Sequence, residues 1–333
     1  ALKAGVSPST VSKAMNGSGA VSEETLRRIR QAAHALGYEP NARARNFATR
    51  ANYQMAFLAD FPFDAAFVNP HLFEIMRGVQ HTLDKRGYAM VMKHLSAREA
   101  AAYVEQAWRQ RVADGFVLHM SVVTKKLAAF ISRESVHIVI GKPNFDNHLC
   151  WIDTDNRLSG ELAARHLAES GYTEFCYVGG RADDMISWRR LQGVRQALQE
   201  MGLELAHERV LQSQSTLADG VRAMKKLLRM KPRPQAIICA NNPIAFGLMQ
   251  ALQAKGVRIP EDMALIAFDS HPFSMLTEPP MTVVDINMYE MGQEAGRLVL
   301  QKLKHSTTQI QTYITTPTLV CRGTTAAASV QGK

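Results

Sequence analysis

The sequence predicts an α/β core of two doubly wound parallel-sheet subdomains, preceded by a small all-α headpiece. Three observations carry this reading. From Tyr53 onward, short apolar runs alternate with amphipathic stretches of helical spacing, the mark of β-α-β units whose parallel sheets are covered on both faces. The alternation runs through twice, in two units of roughly a hundred residues each, which implies two subdomains facing one another across a cleft. The first fifty residues lack it and hold most of the charge. They carry eight Lys/Arg against three Asp/Glu, so +5 of the net +9 of the 333-residue chain sits there. Clustered cations of this kind are the electrostatic footprint of phosphate binding. At 46% hydrophobic and 21% charged, the chain is globular, with room for two or three domains and no disordered class implied.

The headpiece opens on AGVSPSTVSKAMNGSG, Ala4 to Gly19. Ser7 is a good N-cap and Pro8 suits the first helical position, where a missing N–H costs nothing, so a helix begins there. Val11 and Met15 stand four apart and, with Val6 nearby, give it one face to bury. Ser9, Thr10, Ser12, Lys13 and Asn16 stay polar. Short donors and acceptors plus one cation suit a helix lying in a DNA major groove. Taken alone, an ordinary capped surface helix explains them equally well. The continuation decides: a second helix starts at Ser22, with Glu23 and Glu24 where the helix dipole favours acids, and stops at Gly37, and a third, shorter segment follows Pro40.

The whole stretch AGVSPSTVSKAMNGSGAVSEETLRRIRQAAHALGYEPNARAR closely resembles the DNA-binding headpiece of the lactose/galactose repressor family. The resemblance implies a helix-turn-helix over residues 1–40 with a recognition helix from Pro8 to about Met15. It implies base contacts from Pro8, Ser9 and Lys13, and phosphate contacts from Ser7, Thr10, Ser12 and Asn16. Pro8 departs from the family, which often has a polar or aromatic reader there. Only Ala1–Ala4 stand where the family has a first helix longer by about two turns, so the headpiece is expected to be less stable than one with that helix complete. Residues 41–50, NARARNFATR, have the composition of a basic linker. The resemblance makes them a hinge helix, formed with a dimer mate on operator DNA, with Asn41, Arg45 and Phe47 as DNA contacts. Phe47 stands in the position of the family's leucine wedge, and an apolar side chain that unstacks a base step bends the duplex and opens the minor groove. Arg45 is then placed to read minor-groove width.

In the core, YQMAFLA, YAMVMKH, DGFVLHM and VHIVIG read as strands of the first unit. Helices are expected between them from His71, up to Arg111, and near Lys125 to Arg133. The second unit reads as helix Asn156–Gly171, strand EFCYVGG, helix Trp188–Met201, a helix near Ala218–Met230, strand QAIICA, helix Pro243–Gly256 and strand MALIAFD. MTVVDINMYEMGQEAGRLVLQKL and QTYITTPTLVCRGT then look like a return crossing that finishes the first unit. The core is thus expected over 53–324: the first subdomain from 53–155 and 287–317, the second from 156–284 and 318–324, with 325–333 as a tail.

Several function classes find no support. No spaced-glycine dinucleotide fingerprint, phosphate loop or GxSxG elbow is present, the eleven histidines fall into no metal spacing, and no catalytic constellation is visible. An enzyme, a metal and a cofactor are therefore not expected. Cys150, Cys176, Cys239 and Cys321 are scattered through apolar runs and read as buried reduced thiols. No run spans a bilayer and no secretory signal is seen, so the cytoplasm is the expected compartment.

The core resembles the sugar-sensing, periplasmic-binding-protein-like core of the same family. The resemblance rests on FVNPHLFEIMRG, DNRLSGELAARHLAESGY, YVGG, WRRLQG, ANNPIAFGLMQAL, IPEDMALIAFD and EPPMTVVDINMYEMGQEAG. It implies ligand contacts at His71, Leu72, Arg190, Asn241, Asn242 and Asp269. A carboxylate, a guanidinium and amides suit sugar hydroxyls, which each donate and accept. Asp269 reads as lying at the C-terminal edge of a strand and Arg190 as lying in a loop before a helix, where open α/β sheets bind ligands. Asn242 replaces a frequent aspartate, and Ser215 stands where several relatives have an aromatic. Gly141 replaces a frequent acid, while Lys142 beside it adds three donors. VIGKPNFDNHLCWIDTDN and EPPMTVVDINMYEMG look most like the maltose-operon repressors of the family. The expected protein is a homodimeric transcriptional regulator, a repressor of carbohydrate-utilisation genes, with operator DNA and a sugar-type effector, a maltose-like glucoside preferred, as partners. A free-standing periplasmic sugar-binding protein would lack residues 1–50, and a sugar-modifying enzyme would need a general acid and base together in the cleft. The tail has no leucine heptads, so a dimer is expected rather than a coiled-coil tetramer.

Overall fold

Helix starts and stops in the headpiece follow the side chains that mark them. A computed structural model describes residues 1–16, 21–38, 51–60, 71–270, 272–305 and 312–325. Helix α1, Pro8–Asn16, begins where the Ser7 hydroxyl accepts the Thr10 N–H at 3.1 Å. Helix α2, Glu23–Ala35, begins where Ser22 accepts the Thr25 N–H at 3.3 Å, and it ends at Leu36 before Gly37, whose φ of 56° is left-handed. Leu2–Ala4 form one 3-10 turn, held to α2 by the Arg28 guanidinium donating to the Ala4 carbonyl at 2.7 Å. Only Ala4 and Ile29 are buried among the described headpiece residues, while Val6, Val11 and Met15 are half-buried, so this unit has little core of its own. The expected hinge at 41–50, with Asn41, Arg45 and Phe47, lies outside the described residues, as does the tail beyond 325.

The core holds two six-stranded sheets. The first joins β1 (Gln54–Ala59), β2 (Ala89–His94), β3 (Gly115–His119), β4 (His137–Ile140), β5 (Trp151–Thr154) and β11 (Thr312–Thr315), in the order β2-β1-β3-β4-β5-β11, all parallel. The second joins β6 (Phe175–Gly179), β7 (Val210–Gln212), β8 (Ala236–Cys239), β9 (Ala264–Phe268), β10 (Thr282–Asp285) and β12 (Thr318–Val320), in the order β7-β6-β8-β9-β10-β12. The first sheet is covered by α3 (His71–Asp84), α4 (Ala97–Arg109), α5 (Lys125–Glu134) and α11 (Met288–Lys304). The second is covered by α6 (Asn156–Glu169), α7 (Met185–Glu200), α8 (Leu217–Leu227) and α9 (Asn242–Gln253), with the short α10 (Pro272–Met275) beyond β9. Burial on both faces is visible in β1. Met55, Phe57 and Ala59 join one apolar cluster, and Ala56 and Leu58 join the other.

Four sequence expectations are corrected here. Strand β12 runs antiparallel to β10, so the second sheet is not wholly parallel. Read as one return crossing, the final stretches would all finish the first unit; β10 and β12 instead belong to the second sheet, on the second-subdomain side of the expected boundaries, and only α11 and β11 to the first. Strand β5 was not anticipated, because four residues after a loop give no periodic signal. Cys321 is exposed, unlike the other three cysteines, because it follows the edge strand β12.

Facing glycines bring three helix pairs into backbone contact: Gly78 and Gly292 join α3 to α11, Gly160 and Gly193 join α6 to α7, and Gly220 and Gly247 join α8 to α9. A Cβ on any of the six would fall on a carbonyl oxygen of the facing helix, that of Arg190 for Gly160 and of Arg157 for Gly193. Backbone cannot swing aside as a side-chain tip does. Gly160→Ala is therefore expected to lower stability by at least the overpacking cost of about 1–3 kcal/mol. Urea denaturation checks this, and an unchanged midpoint would show that α6 and α7 separate freely.

Candidate ligand cleft and DNA-facing helix

Most of the expected ligand residues meet where the two sheets point their C-terminal strand ends at each other. Asp269 directly follows β9 with φ at 76°, a left-handed conformation that a non-glycine residue adopts at a cost. Its N–H donates to the Val284 carbonyl at 2.8 Å, and its own carbonyl accepts from the Asn242 side-chain amide at 2.8 Å. The strained backbone is thus tied on both sides, and the carboxylate is fixed. One carboxylate oxygen lies 3.4 Å from Nε2 of His71, which comes from the other subdomain at the start of α3. The other lies 3.6 Å from Nη2 of Arg190. Asn241 caps α9 by accepting the Ile244 N–H at 3.0 Å.

Arg190 is 3% exposed and held at several points. It donates to Asn156 Oδ1 at 3.2 Å and to the Ala240 carbonyl at 2.6 Å, and its guanidinium stacks 4.2 Å from the Phe268 ring centroid. It does not lie in a loop before a helix; the helix expected from Trp188 already includes it, and the observed helix starts earlier, at Met185. Asp184 accepts the N–H groups of Ile186 and Ser187, so α7 starts three residues before Trp188 and Arg190 is helical.

Beyond Arg190 the polar chain continues through residues that sequence reasoning missed. Asn156, at the start of α6, also donates to Asp153 Oδ1 at 3.2 Å, and Asp153, on β5, pairs with Arg189 of α7 at 3.3 Å. Burial raises the Asp153 carboxyl above the usual aspartate range, against the pull of the Lys142 and Thr154 N–H groups and of Arg189. His71, Asp269, Arg190, Asn156 and Asp153 thus form one chain that leaves the first subdomain, enters the second and returns. An acid directly after the apolar run Cys150–Trp151–Ile152 is the available signal for Asp153. Leu72 packs partly into the first subdomain's apolar cluster, and Lys142 holds its ammonium 5.5 Å from the Trp151 ring centroid. These two stand beside the polar chain rather than in it. Gly141 has φ at 88°, and a Cβ there would meet the Met120 side chain, which is the local reason no acid stands at that position.

Two buried acceptors in this cluster receive no hydrogen bond from the protein: Asp269 Oδ1 and Asn242 Oδ1. A buried acceptor without a donor is costly, so the arrangement favours a ligand that brings donors. Among the described residues no group of His, Cys, Asp or Glu is arranged to hold a metal ion, and no helix is long and apolar enough to cross a membrane.

On the headpiece, α1 presents Ser7, Pro8, Ser9, Ser12 and Lys13 to solvent, with Thr10 half-buried. The Ser7 hydroxyl is already shared with the Ser9 and Thr10 hydroxyls at 2.8 Å. Ser7 therefore serves α1 as a cap as well as offering a surface hydroxyl. The side chain of Asn16 lies outside what the structure describes.

Comparison with known proteins gives the family of the chain. Residues 1–41 match the family model for bacterial regulatory proteins of the lacI family, and residues 164–325 match that for a periplasmic binding protein-like domain. The HTH-type transcriptional regulator CelR of Thermobifida fusca is 30% identical, covering 93% of this chain and 92% of its own. The chain belongs to the lacI family. The ribose operon repressor of Escherichia coli K12 is 28% identical over 96% of both chains. Among solved structures, the complex of CelR with cellobiose superposes with a TM-score of 0.74 at 28% identity, over 97% of both chains. The lac repressor dimer on operator DNA superposes at 0.82, with 20% identity over 98% of this chain and 97% of that one, which shows the shared fold. This lacI-family member is a DNA-binding transcriptional regulator and not an enzyme, like its relatives.

Proposed function

We propose that this regulator represses carbohydrate-utilisation genes as a homodimer on operator DNA in the cytoplasm, under the control of a glucoside bound between its subdomains. The observation that carries this is the pair of buried acceptors, Asp269 Oδ1 and Asn242 Oδ1, beside the Arg190 guanidinium. Sugar hydroxyls supply donors to the first two and an acceptor to the third. His71, Leu72, Lys142, Asn241 and Asn242 complete the proposed ligand set. Maltose and cellobiose both consist of two glucose units and differ in linkage. The likeness of the 139–156 segment to maltose-operon repressors supports the first, and the CelR complex the second. Titration calorimetry of the full chain with both sugars and with ribose tests the reading: none binding would overturn it.

In the headpiece, Pro8, Ser9 and Lys13 are proposed to reach bases, and Ser7, Thr10, Ser12 and Asn16 phosphates. Arg45 and Phe47 are proposed for the minor groove, and Asn41 as a further DNA contact. Lys13→Ala is expected to weaken operator binding by about 1–3 kcal/mol if the lysine meets a base, and to blur discrimination at that position. Loss of a phosphate contact alone would instead weaken all sequences alike and reduce the salt slope by about one. Fluorescence anisotropy against operator and scrambled DNA over a salt series separates these outcomes. Unchanged affinity for both would remove Lys13 from the interface.

A further inference from the structure

Cys321, the exposed cysteine, is set against a buried imidazole. His166 of α6 is 7% exposed, and its Nδ1 stands 3.8 Å from the Cys321 Sγ. Its Nε2 lies 2.8 Å from Thr325 Oγ1. The protons of this cluster follow from counting donors. Thr282 Oγ1 lies 3.2 Å from the Arg322 carbonyl oxygen, which only accepts, so the single Thr282 proton goes there. The Arg322 N–H, at 2.9 Å, occupies one Thr282 lone pair, and the other faces Thr325 Oγ1 at 2.9 Å. Thr325 therefore donates to Thr282 and accepts from His166. The ring proton sits on Nε2, and Nδ1 turns its lone pair to the thiol. Burial lowers the His166 pKa and so keeps the ring neutral, while Glu169 is the charged group acting in the opposite sense.

We propose that Cys321 and His166 form a thiol–imidazole pair that undergoes exchange with small-molecule disulfides, making this surface a thiol-modification site. Nδ1 takes the thiol proton as Sγ attacks one sulfur of the disulfide. The disulfide bond breaks with its electron pair on the departing sulfur, which then takes the proton from Nδ1. One mixed disulfide forms and one small thiol is released. The other cysteines do not compete: all three are buried, and burial pushes the Cys176 thiol up to about 12. His166 lies on the helix whose first residue, Asn156, accepts from Arg190.

The test uses the native full chain and 5,5′-dithiobis(2-nitrobenzoate), following release of the coloured thiol. One equivalent is expected to react at about pH 7 at least about tenfold faster than each thiol of the urea-unfolded chain, since an unassisted thiol there is only a few per cent thiolate. Peptide mass mapping places the label on Cys321, and Cys321→Ser removes the fast phase. His166→Gln keeps a donor towards Thr325 but lacks the base. It is expected to slow the reaction about tenfold and to change the shape of the pH–rate profile, because the base has been removed. A native rate no higher than the unfolded one overturns the proposal without need of a variant. So does a folded Gln variant that reacts as fast as the parent.

Discussion

Arg190→Ala is expected to lower the unfolding free energy by about 3–5 kcal/mol, the usual cost of removing one partner from a buried ion pair. The guanidinium is nearly inaccessible, and its loss leaves the Asp269 carboxylate, also buried, with His71 as its remaining ion-pair partner among the described residues. The Asn156 Oδ1 and Ala240 carbonyl acceptors lose a donor, and Phe268 loses the group stacked on it. Because the uncompensated charge dominates this cost, the double variant Arg190→Met with Asp269→Asn is expected to recover a large part of it. Urea denaturation of the parent, the single and the double variants measures this. A loss below about 1 kcal/mol in the single variant would mean that the cluster is solvated rather than buried.

Asp269→Asn is expected to weaken effector binding by ten- to over a hundredfold while leaving effector-free operator binding intact. The substitution keeps the shape but removes the charge, and a hydrogen bond to a charged group contributes about 1.5–3 kcal/mol. An effector shifts a conformational equilibrium only by its differential affinity for the two states, so weakening its anchor weakens the shift without touching α1. Titration calorimetry of the folded variant checks the affinity. Unchanged binding would place the effector away from Asp269 and withdraw the proposed ligand set with it.

The helix caps, the strand runs and the two-subdomain core were legible in the sequence because each is a local signal. Ser7 with Pro8 and Ser22 with two glutamates mark helix starts, and apolar runs such as QMAFLA mark buried strands. What escaped depends on partners distant in the chain. The direction of β12 is set by its pairing with β10, not by its own three residues. The helix marked from Trp188 contains Arg190, but its true start at Met185 is set by the Asp184 cap, three residues before the marked one. Asn156 reads from the sequence only as the start of a helix and Asp153 as part of a resembling stretch, and their link between the subdomains shows only when α6 and α7 pack together. The reciprocal glycines that let those helices touch have no one-dimensional pattern at all.

The central claim is that a sugar in the cleft governs DNA binding, and operator titration of the parent and Asp269→Asn proteins, with and without cellobiose or maltose, tests it most directly. One of the two sugars is expected to change the parent's operator affinity by a factor of about 5–150, the usual range of allosteric coupling, and to leave the variant's affinity nearly unchanged at the same concentration. A sugar that binds the parent tightly yet leaves its operator affinity unmoved, or moves parent and variant alike, would contradict the account.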